Sequence, residues 1–373
     1  MRLALVVPGG VDRSGTERVI PALLWLIERL AARHDMHVFA LAQEPCPDDW
    51  MLRGAAVHNL GFASRSRWPG EALFAAGRRL ARGLSIHGPF DVVHAFWANN
   101  PGFLATRVAR SLRIPSVVSL AGGELIALPE IDYGGQLHLR ERLKTGWSLR
   151  HAVRVTAASA SMVEAARKHG IDAALVPLGV PRTLFLEPLP RDVSPRLLLV
   201  GSLNRVKDIQ TALRAFRRVV DAQPAAHLDV VGEDVLGGEG PRKAFELGLS
   251  RNATFHGFLP AEALIPFYRR ADLLVHSSRH EAGPLVVLEA AACGVPTVGT
   301  AVGHIRDLAP GRAYAVPVGD ADALAAGILA LLGDEPRRRA MGQAACSWAR
   351  AHDADATASA FEGIYQEARR TGC

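Results

Sequence analysis

Short apolar runs alternate with longer amphipathic stretches along the chain, which is the pattern of parallel strands joined by helices. In the first half the predicted strands are Leu3–Val7, His37–Leu41, Val57–Leu60, Val92–Ala95, Ser116–Leu120, Arg154–Ala157 and Ala174–Pro177. Helical periodicity falls between most of them, over Glu17–Arg33, Glu71–His87 and Gly102–Leu112. The pattern then lapses where Pro177, Pro181, Pro188, Pro190 and Pro195 crowd together, as in a linker. Strands return at Leu197–Val200, His227–Val231, Ala253–His256, Leu273–His276 and Thr297–Gly299. Two last helices, Glu335–His352 and Ala354–Arg369, have no strand between them. The prediction is an α/β protein of two domains, residues 1–180 and 196–373, joined by a proline-rich linker over 181–195. No internal repeat or low-complexity segment interrupts it.

Two segments of the second half carry chemistry. In Ser277-Ser278-Arg279-His280-Glu281-Ala282-Gly283-Pro284-Leu285-Val286-Val287-Leu288-Glu289-Ala290, Glu281 follows an apolar strand, and Pro284 suits the first position of a helix that contains Glu289. The helix amino terminus at Gly283, Pro284 and Leu285 offers backbone N–H groups and a positive dipole end to a phosphate. Glu281 would stand beside whatever that phosphate carries. Glu289 would accept hydroxyl hydrogen bonds about a turn and a half further on. A diphosphate flanked by two polyols is a nucleotide sugar. With no ligand, Glu281 is a solvated loop residue and Glu289 a polar position on an apolar helix, where burial would demand a partner.

In the second segment, Arg196-Leu197-Leu198-Leu199-Val200-Gly201-Ser202-Leu203-Asn204-Arg205-Val206-Lys207-Asp208, a buried strand and a glycine turn lead to two cations at the entrance to a helix. That helix puts Ile209, Leu213, Phe216 and Val220 on one face. Cations on a first turn oppose the helix dipole, so Arg205 and Lys207 suit a clamp on an anionic leaving group better than a stabilising role. Two solvated surface cations remain the plain alternative.

Gly-x-Leu-x-x-x-Lys followed some seventy-five residues later by Glu-x7-Glu resembles the retaining glycosyltransferases of family 4, which have the GT-B architecture of two facing Rossmann-like domains. The resemblance extends over nearly the whole chain and is strongest from Leu197 to Val298. It implies that Arg205 and Lys207 bind the donor diphosphate, Glu281 the transferred sugar and Glu289 the nucleotide ribose. Many relatives have arginine directly after the turn glycine. Here Ser202 takes that position, and Arg205 is the candidate for the missing charge. A terminal helix returning to the first domain is a further expectation from the family.

Composition fits a large enzyme. The 373 residues suffice for two cores, and 49% are hydrophobic without an apolar run of bilayer length. The chain enters its first strand at once, rather than through a signal peptide. Cys46, Cys293, Cys346 and Cys373 lack metal-ligand spacing, which points to reduced thiols in the cytoplasm. The net charge of +6 gathers in stretches such as Arg78-Arg79-Leu80-Ala81-Arg82 and Arg140-Glu141-Arg142-Leu143-Lys144. The first is predicted amphipathic, with Leu73, Phe74, Leu80 and Leu84 opposite its arginines. Such helices either pack by an apolar face or rest peripherally on an anionic membrane. Basic residues are not interleaved with aromatics as nucleic-acid binding would require.

The first half holds three weaker signals. Pro8-Gly9-Gly10-Val11-Asp12-Arg13-Ser14-Gly15 lets backbone approach a ligand, but it lacks the dinucleotide spacing. The family has a paired-glycine loop here that faces the donor, so Gly10 or Gly15 would be its equivalent; a tight turn is the alternative. His94 is read at a parallel strand's carboxyl end, where open α/β sheets bind ligands. Relatives have His-x-His, whereas this chain has Phe96 at the second position, so a catalytic role would shift to His94 or be absent. Ser119-Leu120-Ala121-Gly122-Gly123-Glu124 either brings Glu124 towards an acceptor or only ends a strand.

The resemblance implies transfer of a hexose-type sugar from a UDP or GDP sugar to an acceptor hydroxyl, with retention, through internal return at a closing cleft. The acceptor would be a carbohydrate, a lipid-linked sugar or a small metabolite. No cofactor is expected, and no Asp-x-Asp or histidine cluster suggests a catalytic metal. An epimerase of the same fold, or a non-catalytic nucleotide-sugar-binding scaffold, is the alternative.

Overall fold

The computed structural model describes residues 1–61, 69–189 and 194–371. The chain divides into two compact units, Met1–Leu178 with Ala354–Cys373, and Gly179–Asp353.

The first unit is built on eight strands: β1 (Arg2–Val7), β2 (Asp35–Ala40), β3 (Asp48–Leu52), β4 (Ala55–Asn59), β5 (Val92–Phe96), β6 (Ser116–Leu120), β7 (Arg154–Ala157) and β8 (Ala173–Leu175), in the order β3-β4-β2-β1-β5-β6-β7-β8. All neighbours are parallel except β3 and β4. That pair is a two-residue hairpin, with Arg53 and Gly54 both at positive φ, the turn geometry that matches strand twist. Helices α1 (Pro21–Ala31), α2 (Pro69–His87), α3 (Asn100–Ser111), α4 (Leu139–His151) and α5 (Ala160–Lys168) connect the strands. Strand β1 is apolar at every buried position because both faces are covered. Leu3, Leu5 and Val7 join one core with α1, while Ala4 and Val6 join another with α2 and α3.

The second unit has six parallel strands, β9 (Arg196–Val200), β10 (His227–Val231), β11 (Ala253–Phe255), β12 (Leu273–His276), β13 (Thr297–Thr300) and β14 (Ala313–Val316), in the order β11-β10-β9-β12-β13-β14. This is the doubly wound order, with its switch point between β9 and β12. Its helices are α6 (Ile209–Ala222), α7 (Glu239–Glu246), α8 (Ala261–Arg270), α9 (Leu285–Ala292), α10 (Gly303–Leu308), α11 (Ala321–Gly333) and α12 (Glu335–Ala351). The predicted face of α6, Ile209, Leu213, Phe216 and Val220, is buried in the core.

The last helix, α13 (Ala354–Thr371), belongs to the first unit. Ala354, Ala358, Phe361, Ile364, Tyr365 and Ala368 form a helical stripe, and from Ala358 onward these residues complete the core around β1 and α1. The units thus differ from the predicted boundaries at both ends. The described part of the expected linker also packs on the second unit. Leu189 N–H donates to Arg269 O at 2.8 Å, Arg269 Nε donates to Glu187 O at 2.9 Å, and Arg350 stacks over Phe185. These donors satisfy carbonyls that a free linker would leave to water. Residues 190–193, including Pro190, and Cys373 lie outside the described residues.

His94 lies inside β5 rather than at its end, and only 2% of its surface is exposed. Its Nδ1 meets Tyr365 Oη at 2.8 Å and its Nε2 meets Ser119 Oγ at 2.7 Å. Burial pushes its pKa down to about 3.

Two outcomes follow for stability. Tyr365→Phe leaves a ring nitrogen of His94 unpaired in the core and should cost about 1–3 kcal/mol, read by urea unfolding. His94 is neutral when folded but takes a proton near pH 6.5 when unfolded. Its contribution is therefore complete above that pH and is lost as pH falls towards about 3. His94→Gln should remove up to about 1.4 kcal/mol per pH unit from the acid slope across that window. Identical slopes in the two proteins would refute a neutral buried imidazole.

Candidate active site

At the switch point of the second sheet, the loops after β9 and β12 leave side by side, and each carries one of the predicted motifs. Ser277 Oγ donates to Lys207 O at 2.8 Å, and Arg279 N–H donates to Val206 O at 2.8 Å. Arg279 Nε also lies 3.1 Å from Asp208 Oδ2. Asp208 caps α6, accepting from Thr211 N–H and Thr211 Oγ1. Helix α6 therefore begins after both cations, so Arg205 and Lys207 sit in the loop rather than on the first turn. A cap that needs its carboxylate at Asp208 fixes that start.

The centre of the site is an ion pair. Lys207 Nζ lies 2.5 Å from Glu281 Oε1, and the same oxygen accepts from Ser278 Oγ at 2.7 Å and faces His276 Nε2 at 3.1 Å. Burial alone would raise the pKa of Glu281. The Lys207 ammonium and the His276 ring outweigh it and hold the carboxyl well below the usual range. Gly201, at φ +149°, makes the pair possible, because a Cβ there would stand 3.2 Å from Lys207 Cε. The lysine stem lies across that bare backbone on its way to Glu281.

Helix α9 starts one residue later than the sequence suggests, with Pro284 as its extended cap and Leu285 as its first residue. Gly303 backs this corner, since a Cβ there would lie 2.7 Å from Pro284 Cδ and 3.1 Å from Glu281 Cβ. Glu289 is buried inside α9, and its Oε2 accepts from Tyr268 Oη at 2.6 Å. Burial raises its pKa despite that bond. Arg205 and Ser202 are exposed. Lys207, Glu281, Gly283, Pro284 and Leu285 are thus gathered at the carboxyl ends of β9 and β12, with Glu289 deeper in the same helix.

The first unit holds the remaining predicted residues. His94, engaged at both nitrogens in the core, does not reach the strand end, which corrects the expectation of a crevice-facing imidazole. Gly10 and Gly15 both have positive φ. They shape a small hairpin in which Val11 bridges Val19 and Ile20 N–H donates to Gly10 O. The geometry accounts for both glycines as turn residues. Glu124 is buried, its carboxylate accepting from the N–H groups of Ala98, Ala121 and Gly122, so it ends the β6 strand by satisfying backbone. Phe74 of α2 is exposed rather than on the packed face with Leu80 and Leu84.

Sequence reasoning missed His276, Ser278 and His304. His276 had a legible signal, a histidine ending a parallel strand, which was read at His94 instead. His304 follows Gly303 and is buried, its pKa pushed down to about 4 by burial although the charge of Glu281 pulls it up. A cavity of about 730 Å³ in this unit, lined in part by Phe185, Cys293 and Cys346, contains none of the predicted site residues.

Comparisons with known proteins point to a family. A model described as glycosyl transferases group 1 matches residues 185–348, and one described as glycosyl transferase 4-like domain matches residues 19–179. A D-inositol 3-phosphate glycosyltransferase of Xylanimonas cellulosilytica is 30% identical over 337 residues, 81% of this chain and 78% of that protein. One from Thermomonospora curvata is 35% identical over 216 residues, 54% of this chain and 47% of that protein. With relatives of this second kind, the chain spans less than half of their length. Sucrose-phosphate synthase from Thermosynechococcus elongatus superposes with a TM-score of 0.80 at 22% identity, covering 98% of this chain and 99% of that one. HepE from Anabaena, in complex with UDP-glucose, gives 0.76 at 16% identity, covering 98% and 100%. The chain belongs to the GT-B glycosyltransferases of the family 4 type.

Proposed function

We propose that this protein is a retaining, metal-independent glycosyltransferase that moves a hexose-type sugar from UDP or GDP to an acceptor hydroxyl. The observation that carries the reading is the Lys207–Glu281 pair beside the amino terminus of α9. An ammonium has three donors. One is spent on Glu281, and two are left for oxygens of a diphosphate, with exposed Arg205 adding positive charge. Fixed cations and backbone N–H groups would stabilise the charge that develops on the leaving diphosphate. Glu281, held ionised and oriented by Lys207, Ser278 and His276, would accept hydroxyls of the transferred sugar. Glu289 would accept from the ribose. HepE is described with UDP and with UDP-glucose, which favours a uridine donor among the two.

The nucleophile is the acceptor hydroxyl itself. Neither His94 nor Glu124 is exposed to act as its base, which supports internal return, in which the departing phosphate takes the acceptor's proton as the new bond forms on the same face. The acceptor is a saccharide, free or lipid-linked, or a small metabolite, as in cell-surface polysaccharide assembly. No helix among the described residues is long and apolar enough to cross a membrane. Helix α4 exposes Leu139 and Leu143 next to Arg140 and Arg142, which supports peripheral contact with an anionic cytoplasmic bilayer face. An epimerase of the same fold would release altered sugar without an acceptor, so product analysis with acceptor omitted separates the two.

In a thermal-shift screen, UDP or GDP at one hundred times Kd should stabilise the wild type by about 2.7 kcal/mol. Lys207→Ala should lose that shift and about 10²–10³-fold in kcat/KM. Glu281→Gln keeps the size of the side chain but loses its charge, and it should reduce kcat more than nucleotide affinity. Equal nucleotide shifts in wild type and Lys207→Ala would sink the donor site.

A further inference from the structure

Three histidines far apart in sequence meet in the first unit. His37 of β2, His58 of β4 and His87 at the carboxyl end of α2 each offer a ring nitrogen, and these atoms all lie within 4.8 Å of one another. The cluster sits where α2 ends against the beginnings of β1 and β2. The glycine loop, by contrast, follows the carboxyl end of β1.

The cluster forms a line with a carboxylate near each end. Asp49 Oδ1 lies 2.9 Å from His58 Nδ1, His58 Nε2 lies 2.9 Å from His37 Nδ1, and His37 Nε2 lies 3.3 Å from Asp35 Oδ1. The first two contacts are hydrogen bonds, and the third is a longer ion-pair contact. Two neutral imidazoles supply two protons, because each has one N–H and one lone pair. If both rings donate outward to their carboxylates, two lone pairs face each other across 2.9 Å.

We propose that His37 Nδ1, His58 Nε2 and His87 bind a divalent transition metal ion of the zinc class, with Asp35 and Asp49 as the outer carboxylates. Ligating histidines commonly donate their second ring N–H to a carboxylate, which fixes the tautomer, and both carboxylates are placed for this. Tetrahedral nitrogen ligands at about 2.0–2.1 Å from zinc stand roughly 3.3 Å apart. The His37–His58 gap must open by a few tenths of an ångström. His87 must turn, since its ring now stacks on His58 with centroids 4.1 Å apart. It is half-buried at the helix end. Phe39 and Phe90 wall the site through ring contacts to His58 and His37. A metal here would tie two strands and a helix end together, outside the residues assigned to the donor.

The test uses the full chain without a polyhistidine tag, dialysed against Zn²⁺, with bound metal counted by mass spectrometry and thermal midpoints recorded with and without the ion. One zinc per chain and a rise in midpoint are expected. His87→Gln and His58→Ala should lose both. Asp49→Asn, at an exposed position, should weaken affinity about 10–100-fold. Cobalt substitution should give the visible absorption of a tetrahedral site in wild type only. Sugar transfer by His87→Gln should match wild type, which keeps this result separate from the proposed activity. No retained zinc, or equal retention in wild type and His87→Gln, overturns the site.

Discussion

The second unit is organised around one constraint, a half-buried charge pair at the place where a parallel sheet reverses its winding. The strand order brings the loops after β9 and β12 together, and the Lys207–Glu281 contact closes the gap between them. Taking two charges out of water costs several kcal/mol per ion unless they are paired and hydrogen-bonded. The surrounding groups meet that requirement: Ser278 and His276 bind the same carboxylate oxygen, and Ser277 and Arg279 fasten the lysine loop. Replacing the pair by apolar groups would often be neutral or better for stability alone. In the proposed reading, its value lies in holding charge in a fixed arrangement before a ligand arrives, which is how electrostatic preorganisation works.

The first unit depends on a different closure. Its core is incomplete without α13, since Phe361 and Tyr365 lie among β1, β5 and α1 residues that precede them by some three hundred positions. Tyr365 also binds His94. The imidazole that looked like a catalytic group is a polar link inside this core, satisfied by a tyrosine, with Ser119 and Thr156 continuing the chain of hydrogen bonds. A helix that supplies both apolar bulk and the partner of a buried polar ring makes the unit discontinuous in sequence but single in packing.

What could be read from the sequence follows from what periodicity encodes. The apolar strands β1, β5, β9 and β12 and the stripe on α6 were legible because burial on both faces, or on one helical face, writes itself into composition. Strand β3 was not, because Asp48-Asp49-Trp50-Met51-Leu52 is a charged edge, and its hairpin turn places Arg53 at a left-handed φ that sequence rarely announces. The pairing of Glu281 with Lys207, seventy-four residues away, is tertiary. So is the gathering of His37, His58 and His87. Glu281 and Lys207, singled out by motif spacing, lie at one sheet end with Glu289 deeper in α9, while spacing could not tell a histidine ending β12 from one inside β5.

The two glutamates of the motif show why the site reads as a binding arrangement rather than a structural one. Eight residues apart and both largely buried, they are driven in opposite directions: Glu281 is held ionised by a cation, and Glu289, with only a tyrosine hydroxyl, has its pKa raised. Pairs whose environments separate their titration in this way tend to have divided roles. In the proposed reading Glu281 meets the part of the donor where positive charge develops, so its permanent negative charge is useful there. Glu289 meets only hydroxyls. Two ribose hydroxyls donating to it would add hydrogen bonds to the carboxylate, opposing the rise that burial imposes. A carboxylate left under-satisfied until a polyol arrives converts its own desolvation cost into affinity for that polyol.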